Sequence, residues 1–161
     1  MNIAIRHVQH NDREQIHSLL EESAMFRRDE IEVAMELIDI VLTQPLQRDY
    51  EVYVASDEQG TVVGYYCIGP RPVTKGTFDL YWIAVKKNIQ AQGIGTMLMR
   101  HAEDYIMMHH GRLLIIETSS QPKYEATNRF YQRCWYEQLA RLRNFYDVDD
   151  DLIIYGKYFS Q

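Results

Sequence analysis

Between Gln90 and Thr96 the chain reads QAQGIGT, and these residue types suit the holding of an anion. Gly93 and Gly95 lack a Cβ, so backbone there can approach a ligand closely. A helical pattern begins immediately afterwards, and the amides of a first helical turn have no intrahelical acceptors. With the positive end of the helix dipole, they match the oxygens of a phosphate or pyrophosphate. His101, His109 and His110 lie on or just after the same helix, without the carboxylate or cysteine set that a metal requires, so no metal is expected and the histidines read as exposed. Met97, Met99, Met107 and Met108 read as core filling, and Cys67 and Cys134 as reduced core thiols. Asp147, Asp149, Asp150 and Asp151 sit in an acidic stretch that reads as a solvated loop able to attract a cation.

The elements that must position these residues follow from periodicity. Ile3 to Val8 alternates as a strand, and Ile16, Leu19 and Leu20 then share a helical face behind a cap at Asn11 or Asp12. Ile31, Met35, Ile38 and Leu42 predict a second helix from about Asp29 to Thr43, stopped before Pro45. EVYVAS and TVVGYYCIG flank the turn DEQG as an antiparallel hairpin, and TFDLYWIAV follows as a strand. The helix after the glycine bend carries Ile94, Leu98, Ala102 and Tyr105 and closes near Gly111. LLIIETS is a strand, a helix runs from Pro122 to about Cys134, and EQLARLRNF and LIIYGKYF form a last hairpin around DVDDD. The order β-α-α-β-β-β-α-β-α-β-β predicts an α/β (α+β) fold with a mixed sheet and one βαβ crossover, and the glycine bend lies in that crossover.

Composition narrows the function. The 161 residues, 46% hydrophobic and 25% charged, suit one domain spanning 1–161. No apolar run is long enough for a bilayer and the N-terminus lacks a secretory pattern, so a cytoplasmic protein without membrane contact is expected. A formal net charge of −6 without a Lys/Arg cluster argues against nucleic acid and favours cationic partners such as amines.

Three phosphate-binding patterns compete for the bend. A P-loop is excluded, because no Gly-Lys-Ser/Thr follows the glycines. A dinucleotide fingerprint matches at Gly93 and Gly95, with Glu117 about twenty residues on. Leu98 replaces its third glycine, however, and the unit follows an antiparallel meander, so a dinucleotide-binding oxidoreductase is the lower-ranked alternative. Gln90-Ala-Gln-Gly93-Ile-Gly95 resembles the Q/R-x-x-G-x-G/A signature of the GNAT N-acetyltransferases. The resemblance extends over nearly the whole chain: the element order is similar, LYWIAV looks like the family's fourth strand, and ATNRFYQRCWYE looks like its late helix with a Phe-Tyr pair.

That resemblance implies the GNAT acyl-CoA N-acyltransferase fold, about seven strands flanked by about four helices. It implies acetyl-CoA as cosubstrate, with the pyrophosphate on Gln90, Ala91, Gln92, Gly93, Ile94, Gly95 and Thr96, and the pantetheine arm along Ile83, Ala84 and Val85. Asn128 and Tyr131 join this cofactor set, although the family's asparagine position is taken by Tyr124. Tyr131 corresponds to the acid that protonates the leaving thiolate, and Glu117 resembles the base of the enzymes that acetylate ribosomal-protein N-termini, with Asp79 or a water chain in reserve. Phe26, Arg27, Phe145 and Tyr146 fall where the family frames its acceptor. Arg27 and Arg28 pull toward an acidic acceptor while the aspartates pull toward a cation, so a small-molecule amine and a peptide N-terminus both stay open, as does a homodimer. Trp135 replaces the glycine that usually closes the late helix; tryptophan tolerates positive φ poorly, which predicts an altered turn and leaves a non-catalytic CoA-binding sensor as the alternative.

Overall fold

The computed structural model describes residues 1–160, apart from the side chain of Ala91. Its elements are β1 (Ala4–His7), α1 (Arg13–Glu22), α2 (Arg28–Thr43), β2 (Glu51–Ser56), β3 (Val62–Pro70), β4 (Thr77–Val85), α3 (Ile94–Met108), β5 (Leu113–Ser119), α4 (Glu125–Arg133), β6 (Glu137–Asp147) and β7 (Asp150–Tyr158). The strands form one seven-stranded sheet in the order β1-β2-β3-β4-β5-β7-β6. Among the described residues no helix is long and apolar enough to cross a membrane. Contacts divide the chain into two compact units, Met1–Gly69 with Tyr81–Ala102, and Pro70–Leu80 with Glu103–Gln161. Gln161, the last residue of the expected domain, lies outside the described residues.

In the first unit the apolar faces of α1 (Ile16, Leu19, Leu20) and α2 (Ile31, Ala34, Met35, Ile38) pack with Val52, Val54, Tyr65 and Cys67. Each large side chain buried there stabilises by about 1.5–3 kcal/mol, which is why the helical spacing of these residues decides the element. Asp12 stands at the N-cap of α1 as expected, but its side chain makes no capping bond to that helix. A 3-10 turn over His10–Asp12 precedes it, and the buried Asp12 accepts the Gln9 amide at 2.7 Å and pairs with Arg6 at 2.7 Å. On β3, a Cβ added at Gly64 would stand 3.0 Å from both the Ala84 carbonyl oxygen and Leu98 Cδ1, so the missing side chain is what lets α3 lie so close to the strands. His101 on α3 is half-buried, not exposed, because the Tyr66 hydroxyl hydrogen-bonds its Nδ1 at 2.8 Å. Of the methionines expected in the core only Met99 is there; Met97, Met107 and Met108 are exposed.

In the second unit β4 and β5 pair in parallel from Thr77↔Leu113 to Asp79↔Ile115. β7 runs antiparallel to β5 from Leu113↔Tyr158 to Ser119↔Leu152. The last hairpin is tighter than the sequence suggests: Asp147 and Asp150 pair in the ladder, leaving Val148 and Asp149 as the turn, with Asp149 at φ 62°. The helix α4 lies on the face of β5 and β7 that carries Thr118 and Tyr155, since Thr118 Oγ1 donates to Asn128 Oδ1 at 3.0 Å and the Tyr131 and Tyr155 ring centres are 5.9 Å apart.

The end of α4 corrects the expectation for Trp135. Its φ is 70°, the Trp135 amide donates to the Gln132 carbonyl at 3.0 Å, and the Tyr136 amide donates to the Tyr131 carbonyl at 3.0 Å. These are the two bonds of a Schellman stop, so the turn is kept with tryptophan in the place usually given to glycine. The two side chains that such a stop brings to the same side, Tyr131 and Tyr136, are both buried. The turn is braced further: the Tyr136 hydroxyl donates to Glu103 at 2.7 Å, and Lys157 Nζ reaches Glu103 at 3.2 Å and the Cys134 carbonyl at 3.3 Å. Cys134, expected in the core, is only half-buried at this cap.

Candidate active site

The glycine loop has the geometry of an anion cradle. After β4 a kinked 3-10 segment covers Lys87–Gln92, and Gln90 folds back so that its Nε2 donates to the Val85 carbonyl at 3.2 Å. Gly93 then turns the chain at φ 79°, a left-handed conformation that favours glycine, and nothing stands within 4 Å of where its Cβ would be. The first helical hydrogen bond of α3 runs from the Met97 amide to the Gly93 carbonyl at 3.1 Å. The amides of Ile94, Gly95 and Thr96 therefore precede the helical ladder and are left for another acceptor. Ile94 itself is buried, which fixes this first turn to the core, while Gln92 and Gly93 are exposed. Open space, left-handed glycine and helix-start amides together fit a pyrophosphate. Ile83, Ala84 and Val85 are half-buried on the last residues of β4. Ala91 belongs to the loop by its backbone, but its side chain lies outside the described residues.

Two acceptor candidates sit in the same unit. Phe26 is half-buried, edge-on to Trp82 with ring centres 5.1 Å apart, a partner the sequence reading missed. Arg27 is exposed but committed to its own helix start: its amide donates to Glu30 at 3.0 Å and its guanidinium reaches Asp29 at 3.1 Å. Arg28 pairs with Glu32 at 3.5 Å. The pull of these arginines toward an acidic acceptor is thus offset by acids one turn away.

In the second unit Tyr131 is 5% exposed, and burial pushes its phenol well above the ordinary tyrosine range, with Cys134 and Tyr124 adding to the shift. Glu117 is exposed on β5, opposite Ile154 of β7. Asn128 is occupied by the protein: besides accepting from Thr118, its Nδ2 donates to the Ser119 carbonyl at 3.2 Å, tying α4 to the end of β5. Asp79 is buried and pairs with Arg71 at 3.2 Å. Phe145 and Tyr146 are exposed neighbours on β6, their rings perpendicular at 5.0 Å. The acidic stretch is not wholly solvated, for Asp150 is buried and accepts a hydrogen bond from Ser119 Oγ. Among the described residues no group of His, Cys, Asp and Glu is arranged to hold a metal.

Comparison with known proteins gives this arrangement its class. A family model for the acetyltransferase (GNAT) domain matches residues 48–138. A crystal structure assigned to a GNAT-family acetyltransferase from Desulfovibrio desulfuricans superposes with a TM-score of 0.93 at 37% identity, covering 98% of this chain and 99% of that one. The ribosomal-protein-S18-alanine N-acetyltransferase of Escherichia coli shares the fold at a TM-score of 0.78 and 18% identity, over 99% of this chain and 96% of that one. An aminoglycoside 6'-N-acetyltransferase complexed with coenzyme A does so at 0.77 and 18%, over 98% of each chain. No curated protein matches the chain. The chain belongs to the GNAT acetyltransferase family, which sets aside the dinucleotide reading of the glycine bend.

Proposed function

We propose that the chain is an acetyl-CoA-dependent N-acetyltransferase, working in the cytoplasm on a primary amine of a small molecule or of a peptide or protein N-terminus. The observation that carries the reading is the exposed loop at Gly93, with open space beside it and three helix-start amides behind it. An enzyme of the same fold complexed with coenzyme A supports it.

When bound, acetyl-CoA supplies an acetyl thioester. The chain's own groups have three tasks. The amides of Ile94, Gly95 and Thr96 hold the anionic end. Glu117, exposed and free of an ion pair among the described residues, takes the proton that an acceptor ammonium must lose before its nitrogen can attack. It is preferred to Asp79, whose carboxylate is buried against Arg71. Tyr131 gives a proton to the departing sulfur; burial keeps its phenol protonated at neutral pH, so the proton is there to give. The turn at Trp135 that opened the sensor alternative is intact, and turnover is what separates the two readings.

Calorimetry with acetyl-CoA and with NADH, followed by thiol release across a panel of amines, tests the proposal. Binding of acetyl-CoA with release on at least one amine is expected. Binding of NADH alone would overturn it, and acetyl-CoA binding without release on any amine would leave a sensor.

A further inference from the structure

Three carboxylates are buried among the described residues: Asp12, Asp79 and Asp150. Burying a carboxylate is expensive unless a cation or several donors compensate, so each needs an explanation. Asp12 has Arg6, and Asp79 has Arg71. Asp150, 6% exposed, forms no ion pair among the described residues. Of the hairpin's cations, Arg141 is used on Asp151 at 2.7 Å, Lys157 on Glu103 at 3.2 Å, and Arg143 acts on Asp151 from a distance. The one side chain that donates to it is Ser119, whose Oγ bonds Oδ1 and in turn accepts the Gln121 amide at 3.0 Å. Oδ2 has no donor among the described residues, and it is not closed off from solvent, so a ligand can reach it.

Position gives this uncompensated charge a use. Ser119 and Glu117 alternate with Thr118 along β5, so they point to the face opposite Thr118. The bond from Ser119 places Asp150 on that face as well. Within this unit α4 covers the other face, through Thr118 to Asn128 and Tyr155 to Tyr131. The face bearing the proposed base therefore carries a second, buried carboxylate held in place by a serine and lacking a counter-ion.

We propose that Asp150 is the residue that selects the acceptor, receiving the ammonium of a cationic primary amine, and that the acceptors are amines without a neighbouring carboxylate. The inference rests on the acetyltransferase reading and deepens it. An ammonium supplies both the charge and the donors that Asp150 lacks, whereas an amino-acid carboxylate would meet the like charges of Asp150 and Glu117.

The test uses matched probes that differ by a carboxylate's charge: phenethylamine against phenylalanine, propylamine against 4-aminobutyrate, and alaninamide against alanine. Calorimetry on the CoA-loaded protein reads binding, and thiol release reads turnover. The cationic member of each pair is expected to bind about tenfold or more tighter. Asp150→Asn, which keeps an acceptor for Ser119 and removes the charge, is expected to bring the ratio close to one while leaving acetyl-CoA affinity unchanged. An unchanged ratio in Asp150→Asn, or no preference for the cationic member in the wild-type protein, overturns the inference; the second criterion holds even if the variant fails to fold. Selective amine binding without thiol release would sink the acetyltransferase reading and leave Asp150 as the amine site.

Discussion

Replacing Trp135 separates backbone strain from side-chain packing. Trp135 sits at φ 70° and is 81% exposed, closing α4 in a position where a Cβ is disfavoured by about 1–2 kcal/mol. Trp135→Gly and Trp135→Ala lose the same limited side-chain contact, so the difference between them reports the left-handed backbone. At an ordinary helical or extended position glycine is the less stable by about 0.5–1 kcal/mol, because it loses more freedom on folding. At this position the order should invert, with Trp135→Gly more stable than Trp135→Ala by about 1 kcal/mol and Trp135→Asn between them. For a chain of this size that corresponds to a Tm difference of about 2–4 °C, measurable by thermal melting, with urea titration giving the free energy directly. An alanine variant as stable as the glycine variant would show that the turn relaxes without its αL residue, and would refute the argument that buried Tyr131 and Tyr136 hold it there.

Other expectations follow from the same geometry. Tyr131→Phe keeps the ring packed against Tyr155 but deletes the transferable proton, so kcat should fall by about 10²–10⁴-fold with little change in acetyl-CoA affinity; a wild-type kcat would take Tyr131 out of the chemistry. Gly93→Val should leave the core intact, since the space beside Gly93 is open, yet weaken acetyl-CoA binding by filling the cradle and straining φ; unchanged affinity by calorimetry would make the bend only a turn. Gly64→Ala should destabilise by about 1–3 kcal/mol in urea, because the Ala84 carbonyl at 3.0 Å cannot give way as a side-chain tip could. Burial raises the phenols of Tyr131 and Tyr136, so in the unfolded chain these protons leave first once pH passes about 10. Their contribution is complete below that pH and lost above it, and Tyr131→Phe should make the alkaline fall in stability shallower.

What was legible in the sequence was what local periodicity or a fixed turn geometry dictates. Ile31, Met35 and Ile38 announced α2 because their spacing leaves no other way to bury them together, and the glycines of QAQGIGT announced the bend because they leave the backbone bare, Gly93 also supplying the left-handed turn. Long-range partners were not legible. His101 looked like an exposed helix histidine until Tyr66, 35 residues earlier, gave it a hydrogen bond, and Asp150 looked solvated until Ser119, 31 residues earlier, drew it in. Trp135 failed as a forecast for a different reason: its intrinsic preference opposed the turn, and the buried tyrosines and the paired amides outweighed it. The hairpin at Val148 and Asp149 looked looser than it is because aspartates resemble loop residues, although Asp tolerates the left-handed region better than most.

The outermost strand, β6, bears on how the protein behaves in a crowded solution. It is eleven residues long, ends the sheet, and exposes Leu142, Phe145 and Tyr146, which makes it a ready template for strand addition by another chain. Its regularity is broken in the middle: the register slips between Leu142 and Asp147, Asn144 adopts φ 55°, and Arg141 and Arg143 lie at its N-terminal side. An incoming strand could zip along only a few residues before meeting the kink. The irregularity at Asn144 thus interrupts the free edge, and a variant that straightened it would offer a longer unbroken template for strand addition.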